Sequence, residues 1–170
     1  SEGKKIVTTD EMELAKNITK SIWSNEIAES ILVNCVPEAS VFTTVNDVQV
    51  KVRPDIWKGP VCADLKTTQD ASYRAFQSSA VKYGYFLQAG MISTVMDVIN
   101  TPMERFAFIC VEKEYPFAVA VYILDSEAIL WGRSLFYNLL DKVIQCQELK
   151  EFPSYPVQVM SVPSWANFEV

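Results

Sequence analysis

The feature that most narrows the fold is a pair of short apolar runs late in the chain, Arg105 to Val111 and Phe117 to Leu124, joined by Glu112-Lys113-Glu114-Tyr115-Pro116. Runs of this length that are apolar almost throughout, rather than at alternate positions, are the mark of strands buried in a sheet, so the pair reads as a hairpin against the core. Helical signals surround it. Thr9-Asp10-Glu11 supplies an acidic first turn, and Met12, Ala15, Ile18 and Ile22 recur at helical spacing, which predicts one or two amphipathic helices over residues 9 to about 35. Asp70 is a suitable N-cap for a helix from about 71 to 82, and Phe86 to Ile99 is a second helical stretch, apolar on most sides. Asp125-Ser126-Glu127 caps a long helix in which Leu130, Trp131, Leu135, Leu139, Val143 and Cys146 are spaced for burial.

Between the first and second helical regions the period changes to two. Val41-Phe42-Thr43-Thr44-Val45 is β-branched and aromatic, and after Asn46-Asp47 the residues Val48, Val50 and Val52 alternate with Gln49, Lys51 and Arg53, the pattern of a hairpin. Pro54 breaks the run, Lys58-Gly59-Pro60 supplies turn chemistry, and Val61 to Thr67 reads as the next strand. The tail, with Pro153, Pro156 and Pro163, is expected to be extended and to pack over the body through Trp165. The order α–β–β–β–α–β–β–α, with no repeat or linker, predicts a single α/β domain over residues 1–170 whose mixed sheet is flanked by helices.

Histidine is absent from all 170 residues, which removes imidazole-based triads and histidine-ligated zinc. The four cysteines, at 35, 62, 110 and 146, lack paired metal-site spacing and read as scattered reduced thiols in a cytoplasmic setting. No stretch approaches a membrane span, no signal-peptide core follows Ser1-Glu2-Gly3-Lys4-Lys5, and the net charge of −6 offers no long-range attraction to nucleic acid or anionic lipid. Any polyanionic partner must be met by a local patch.

One constellation can do chemistry. Asp55 ends one predicted strand, and Asp64 and Lys66, two apart on the next, share one face of the sheet. If the strands carrying Val50 and Leu65 pair, Asp55 and Asp64 reach a common divalent ion, with the Leu65 carbonyl as a third oxygen. Such hard ligands select Mg²⁺ or Mn²⁺. Lys66 then sits beside an attacking water, and Glu38, just before the first strand, offers another carboxylate. A metal is favoured because a general base alone supplies about 10²–10⁴-fold, far short of what unactivated phosphoesters demand. By spacing alone, Asp-x-Lys on a strand is more often a solvated cross-strand ion pair and Pro-Asp more often a turn.

Arg53-Pro54-Asp55, eight residues, then Asp64-Leu65-Lys66 resembles the PD-(D/E)xK nuclease signature, and Asp64 through Ala71 resembles the RecE-like exonuclease group (exodeoxyribonuclease VIII). The similarity continues through Tyr83 to Ala89, Val111 to Glu114, Pro116 to Val119 and Val162 to Ala166. The resemblance implies a restriction-endonuclease-like core and a Mg²⁺-dependent exonuclease that degrades one strand of linear duplex DNA from its 5′ end. It also implies a ring of identical subunits and a RecT-like single-strand annealing partner in phage-type recombination. By position it makes Asp55 and Asp64 metal ligands, Lys66 the catalytic lysine, Glu38 a further ligand and Gln88 the glutamine of the helix behind the site. Ile92 stands where relatives often carry an aromatic residue and Phe86 where they often carry histidine. Relatives also usually have more sequence before the first helix. A RecB-like endonuclease and a degenerate fold that only binds DNA are the other readings.

Smaller signals have two readings each. Lys51, Arg53, Lys58, Lys66, Arg74 and Lys82 form either a phosphate track or solvated strand and helix faces. Thr67, Thr68 and Ser72 can meet phosphates, although Ser72 suits a helix cap better. Tyr73, Tyr83 and Tyr85 can stack on unpaired bases, although aromatic residues at helical spacing are more often core, and Met91, Met96 and Trp131 suit core or a subunit interface.

Overall fold

The computed structural model describes residues 6–163 and 166. The chain begins with α1 (Thr9–Trp23), whose N-cap is Thr8: its hydroxyl accepts from Glu11 N while Glu11 Oε2 accepts from Thr8 N at 2.7 Å, a reciprocal capping box. Then follow α2 (Glu26–Leu32), capped by Asn25, and a two-residue strand, β1 (Val36–Pro37). The predicted hairpin forms as β2 (Val41–Val45) and β3 (Val48–Val52), turning on Asn46 and Asp47, both at positive φ as a tight two-residue connection requires. Next come β4 (Ile56–Lys58), β5 (Val61–Thr68), α3 (Tyr73–Lys82), α4 (Tyr85–Val98), β6 (Arg105–Glu112), β7 (Val119–Ile123) and α5 (Ser126–Leu149).

Five strands make one mixed sheet in the order β1-β4-β5-β6-β7. Only β5 and β6 run parallel, and α3 with α4 forms the crossover that such a pair demands. The mixed sheet flanked by helices is as expected, but one pairing is not. The β2–β3 hairpin stays out of the main sheet as a separate two-stranded ribbon, so the strand of Val50 does not pair with that of Leu65. The neighbour of β5 is instead the short β4, with Ile56 opposite Ala63 and Lys58 opposite Val61. The physical reason is that Val45, Val50 and Val52 bury their shared face in the core cluster that includes α4, which leaves Pro54 to end the ribbon and the chain to restart as β4.

The sheet divides two cores. Beneath α1 and α2 lie Ala63, Ala107, Ile109 and Val111 with Ile22, Ala28 and Ile56. On the other side Cys62, Phe106, Phe108 and Cys110 pack on Phe76 from α3 and on Ala89, Ile92, Val95 and Met96 from α4. Burial all round explains why α4 is apolar on most sides. It crosses α5 at Gly90 and Gly132, so closely that a Cβ on Gly90 would lie 2.1 Å from the Gly132 carbonyl carbon. Only glycine permits that contact.

Two expectations about the C-terminal region are corrected. On α5, Leu130, Trp131, Leu139 and Val143 are exposed rather than buried, because α4 and the sheet take up the side of the helix that carries Gly132, Phe136 and Leu140. Residues 151–163 have no regular structure and do not pack over the body, with Phe152, Tyr155 and Val157 all exposed; Trp165 lies outside the described residues. The cysteines are free thiols, and burial pushes those of Cys62 and Cys110 up to about 12, which leaves them chemically quiet. Among the described residues no helix is long and apolar enough to cross a membrane.

Candidate active site

Alternation along β5 sends Cys62, Asp64 and Lys66 to the α4 side of the sheet and Ala63 and Leu65 the other way. Because Cys62 faces the core, Asp64 is carried inward with it and is only 3% exposed. Its neighbours are few. Gln88 on α4 donates its Nε2 to Asp64 Oδ1, and Lys66 Nζ lies 2.6 Å from Oδ2 while donating to Gln88 Oε1 at 3.2 Å. Gln88 thus bridges acid and amine, and both are held in fixed orientation. The Lys66 ammonium also rests 4.4 Å from the centre of the Tyr85 ring.

This closure is incomplete. Asp64 Oδ2 is buried and, among the described residues, has only the Lys66 ammonium beside it, in an ion pair without ideal hydrogen-bond alignment. A buried carboxylate held by one cation is only partly compensated for its lost hydration. Burial raises the Asp64 pKa, opposed by Lys66 and Gln88 and reinforced by the negative charge of Asp55.

Asp55 reaches the site through β4. It sits in the bend between Pro54 and Ile56, and its Oδ2 accepts from Leu65 N at 2.9 Å, extending the β4–β5 ladder by a side chain where the backbone pairing stops. In a strand a residue's N–H and C=O point to the same edge, so the Leu65 carbonyl faces Asp55 too. The structure therefore brings together Asp55, Asp64, the Leu65 backbone and Lys66, with Gln88 behind them.

Glu38 is not gathered with them. It is held at positive φ beside Asp55, donating its backbone N–H to Asp55 O at 3.0 Å, but its carboxylate turns to Arg53, with Oε2 2.8 Å from Nε, in an exposed ion pair. That pairing accounts for Arg53 as well. Lys58 is engaged elsewhere, donating to Ser30 O at the end of α2. Thr67 is exposed at the rim beyond Lys66, and Asp70 accepts from Ser72 N just outside α3, whose N-cap is Ser72 rather than Asp70. Tyr85 as the platform for Lys66 was not singled out by the sequence. The available signal was an aromatic residue three positions, one helical turn, before the lone glutamine of an apolar helix.

Among the described residues no three acidic, cysteine or histidine side chains cluster closely enough to form a metal cage. Two carboxylates and a carbonyl nevertheless fit Mg²⁺, which is commonly bound by one or two carboxylates with substrate phosphate and water completing its shell. The observation that favours such an ion is the buried Asp64 carboxylate, whose Oδ2 has only the Lys66 ammonium beside it among the described residues.

Comparisons with known proteins bear on the family and the fold. Residues 1–161 match the model of a family described as a PDDEXK-like domain of unknown function (DUF3799). No curated protein matches. Among solved structures, a crystal structure from Eubacterium rectale described as a "Putative exonuclease" is similar, with a TM-score of 0.67, 10% identity and 93% of this chain aligned. This chain spans 66% of that structure's length. At that identity the likeness shows the fold. A looser match, to a structure described as SSO0001, has 16% identity, a TM-score of 0.38 and coverage of 77% of this chain and 67% of the other, and carries no weight.

Proposed function

The chain belongs to this family of PDDEXK-like domains, and we propose that it is a metal-dependent deoxyribonuclease, specifically a RecE-like exonuclease that degrades one strand of linear duplex DNA from its 5′ end. The observation that carries the proposal is the buried Asp64 carboxylate, ion-paired to Lys66 through Oδ2 at 2.6 Å, on the strand whose next residue, Leu65, donates its N–H to Asp55. Asp55, Asp64 and the Leu65 carbonyl would hold the ion, Mg²⁺ or Mn²⁺. When bound, it supplies Lewis-acid polarisation and charge neutralisation at a phosphoryl oxygen.

The side chains then divide the remaining work. Lys66, oriented by Gln88 and the Tyr85 ring, orients the attacking water and stabilises charge that develops on the phosphoryl group. Gln88, hydrogen-bonded to both Asp64 and Lys66, fixes the rotamers of each so that little reorganisation accompanies the reaction. Duplex DNA ends are the substrate in this reading, a ring of identical subunits the working assembly, and a RecT-like annealing protein the recipient of the 3′ overhang.

Digestion of linear duplex, labelled at either the 5′ or the 3′ end, beside covalently closed circular DNA tests the reading. The proposal expects Mg²⁺-dependent loss of the linear substrate, early release of the 5′ label and an intact circle. Cutting of the circle would instead assign a RecB-like endonuclease. A second reading, a DNA-binding module without catalysis, is favoured by the lack of a third gathered carboxylate among the described residues. Duplex binding with no cleavage under either ion would establish it.

A further inference from the structure

Beyond Lys66, on the side away from Asp55, a cleft of about 480 Å³ opens between the end of β5 and α3. Its size lies in the range of small-molecule sites. Its wall is pinned in place: Lys113 N donates to Thr68 O at 3.1 Å, Ala71 N to Glu112 Oε1 at 2.9 Å, and Tyr122 OH to Ala71 O at 2.5 Å. These three bonds tie the loop after β5 to β6 and β7, so the cleft is formed before any ligand arrives.

The lining is specific in kind. Tyr83, 61% exposed, and Tyr85 supply aromatic surface, their ring centres 5.9 Å apart and their planes tilted by 30°. Ser79 offers a hydroxyl, Thr68 one that it already donates to Asp70 O at 3.1 Å, and Lys113 in the same lining brings an exposed cation with no ion-pair partner among the described residues. An aromatic platform facing an amine and hydroxyls is the chemistry that holds a base by stacking and a phosphate by charge. Tyr83, at the α3 C-cap, stays exposed, and its ring has the Tyr85 ring and the Lys82 ammonium, 5.3 Å from its centre, beside it, which adds a second cation to the platform.

We infer that this cleft is a mononucleotide subsite, which takes the unpaired nucleotide next to the scissile phosphate, with its base on Tyr83 and its outer phosphate on Lys113. The assignment of that nucleotide to a cut strand rests on the proposed nuclease reading, whereas the cleft's capacity for a nucleotide does not. Asp70, at the rim, has its carboxylate engaged by the N–H of Ser72. The subsite also gives Thr67 and Thr68 a place beside the substrate.

The test uses the whole chain without metal, titrated with deoxyadenosine 5′-monophosphate and, in parallel, with deoxyribose 5′-phosphate, while the tyrosine ring and Thr68 resonances are followed. The nucleotide is expected to shift Tyr83, Tyr85 and Thr68 and to bind about tenfold more tightly than the base-free sugar phosphate, the size of one stacked base. Tyr83→Ala should erase that difference and Tyr83→Phe should keep it, while Lys113→Ala should weaken both ligands alike. Equal binding of the two ligands by the native protein, or a Tyr83→Ala variant that still discriminates, overturns the subsite.

Cleavage of linear duplex with Mg²⁺ by the same proteins separates this inference from the reading on which it rests. Tyr83→Ala should raise KM more than it lowers kcat. Cleavage by the native protein with no nucleotide preference removes the subsite and leaves the nuclease. Nucleotide preference without cleavage under Mg²⁺ or Mn²⁺ supports the subsite and removes the nuclease.

Discussion

On the face of the sheet beneath α1 and α2, strands β5 and β6 present Ala63, Ala107, Ile109 and Val111, all buried and all apolar. On the face beneath α3 and α4 the same two strands present Phe106, Phe108 and Cys110 but also Asp64 and Lys66. Neighbouring residues in the same strands thus build one face that minimises free energy and one that does not. A carboxylate whose burial raises its pKa even with Lys66 paired to it opposes folding, and the apolar face shows how the sheet would be filled if stability alone mattered. Local departure from the rules obeyed elsewhere is where chemistry is expected.

The comparison can be broken most severely at Ala107. Ala107→Asp places an uncompensated carboxylate on the apolar face and should cost about 3–5 kcal/mol, seen in urea denaturation as loss of the native transition or of soluble protein. Tolerance of that substitution would mean the two faces do not differ as described.

A smaller effect of opposite sign sharpens it. Asp64→Asn alone would turn an amide N–H₂ against the Lys66 ammonium, whereas the double variant Asp64→Asn with Lys66→Met removes both charges of the buried pair and keeps the hydrogen bond to Gln88, so the metal-free protein should gain stability on the order of 1 kcal/mol at neutral pH while losing cleavage. The smallest effect is the pH dependence of that gain. Below the ordinary value of 3.8 Asp64 carries its proton in both states; above it, up to the raised value, the folded protein alone keeps the proton. Unfolding then releases it, so stability falls as pH rises through this window. The difference in stability between native protein and the double variant should therefore grow with pH and level off above the raised pKa. Urea midpoints across that range measure it, and a difference that does not change with pH would contradict the assigned cause.

Much of this was readable in the residues. The β5 face is a direct consequence of the two-residue period, and the hairpin of β2 and β3 follows from Val48, Val50 and Val52 and the Asn46-Asp47 turn. Gln88 is the lone amide of a largely apolar helix, and the resemblance placed it behind the site. What stayed hidden were the pieces too short or too dependent on tertiary partners to leave a pattern. β4 has three residues between Pro54 and Gly59, yet it, rather than β3, delivers Asp55 to Leu65. Glu38 belongs to Arg53 because of a left-handed backbone position that periodicity cannot register. The apolar residues of α5 were expected to be buried, but spacing cannot say how many faces of a helix find a partner, and Trp131 meets the ring of Phe86 while remaining largely open.

The central claim is that Asp55, Asp64 and Lys66 act together as a cation-dependent centre for phosphodiester hydrolysis. It is tested most directly by the initial rate at which native protein and Lys66→Ala degrade linear duplex DNA, with Mg²⁺ and with the ion chelated. The account predicts cleavage by the native protein only with the ion, and a rate lower by about 10²–10⁴-fold for Lys66→Ala. Cleavage that survives chelation, or a Lys66→Ala variant as fast as the native protein, would contradict it.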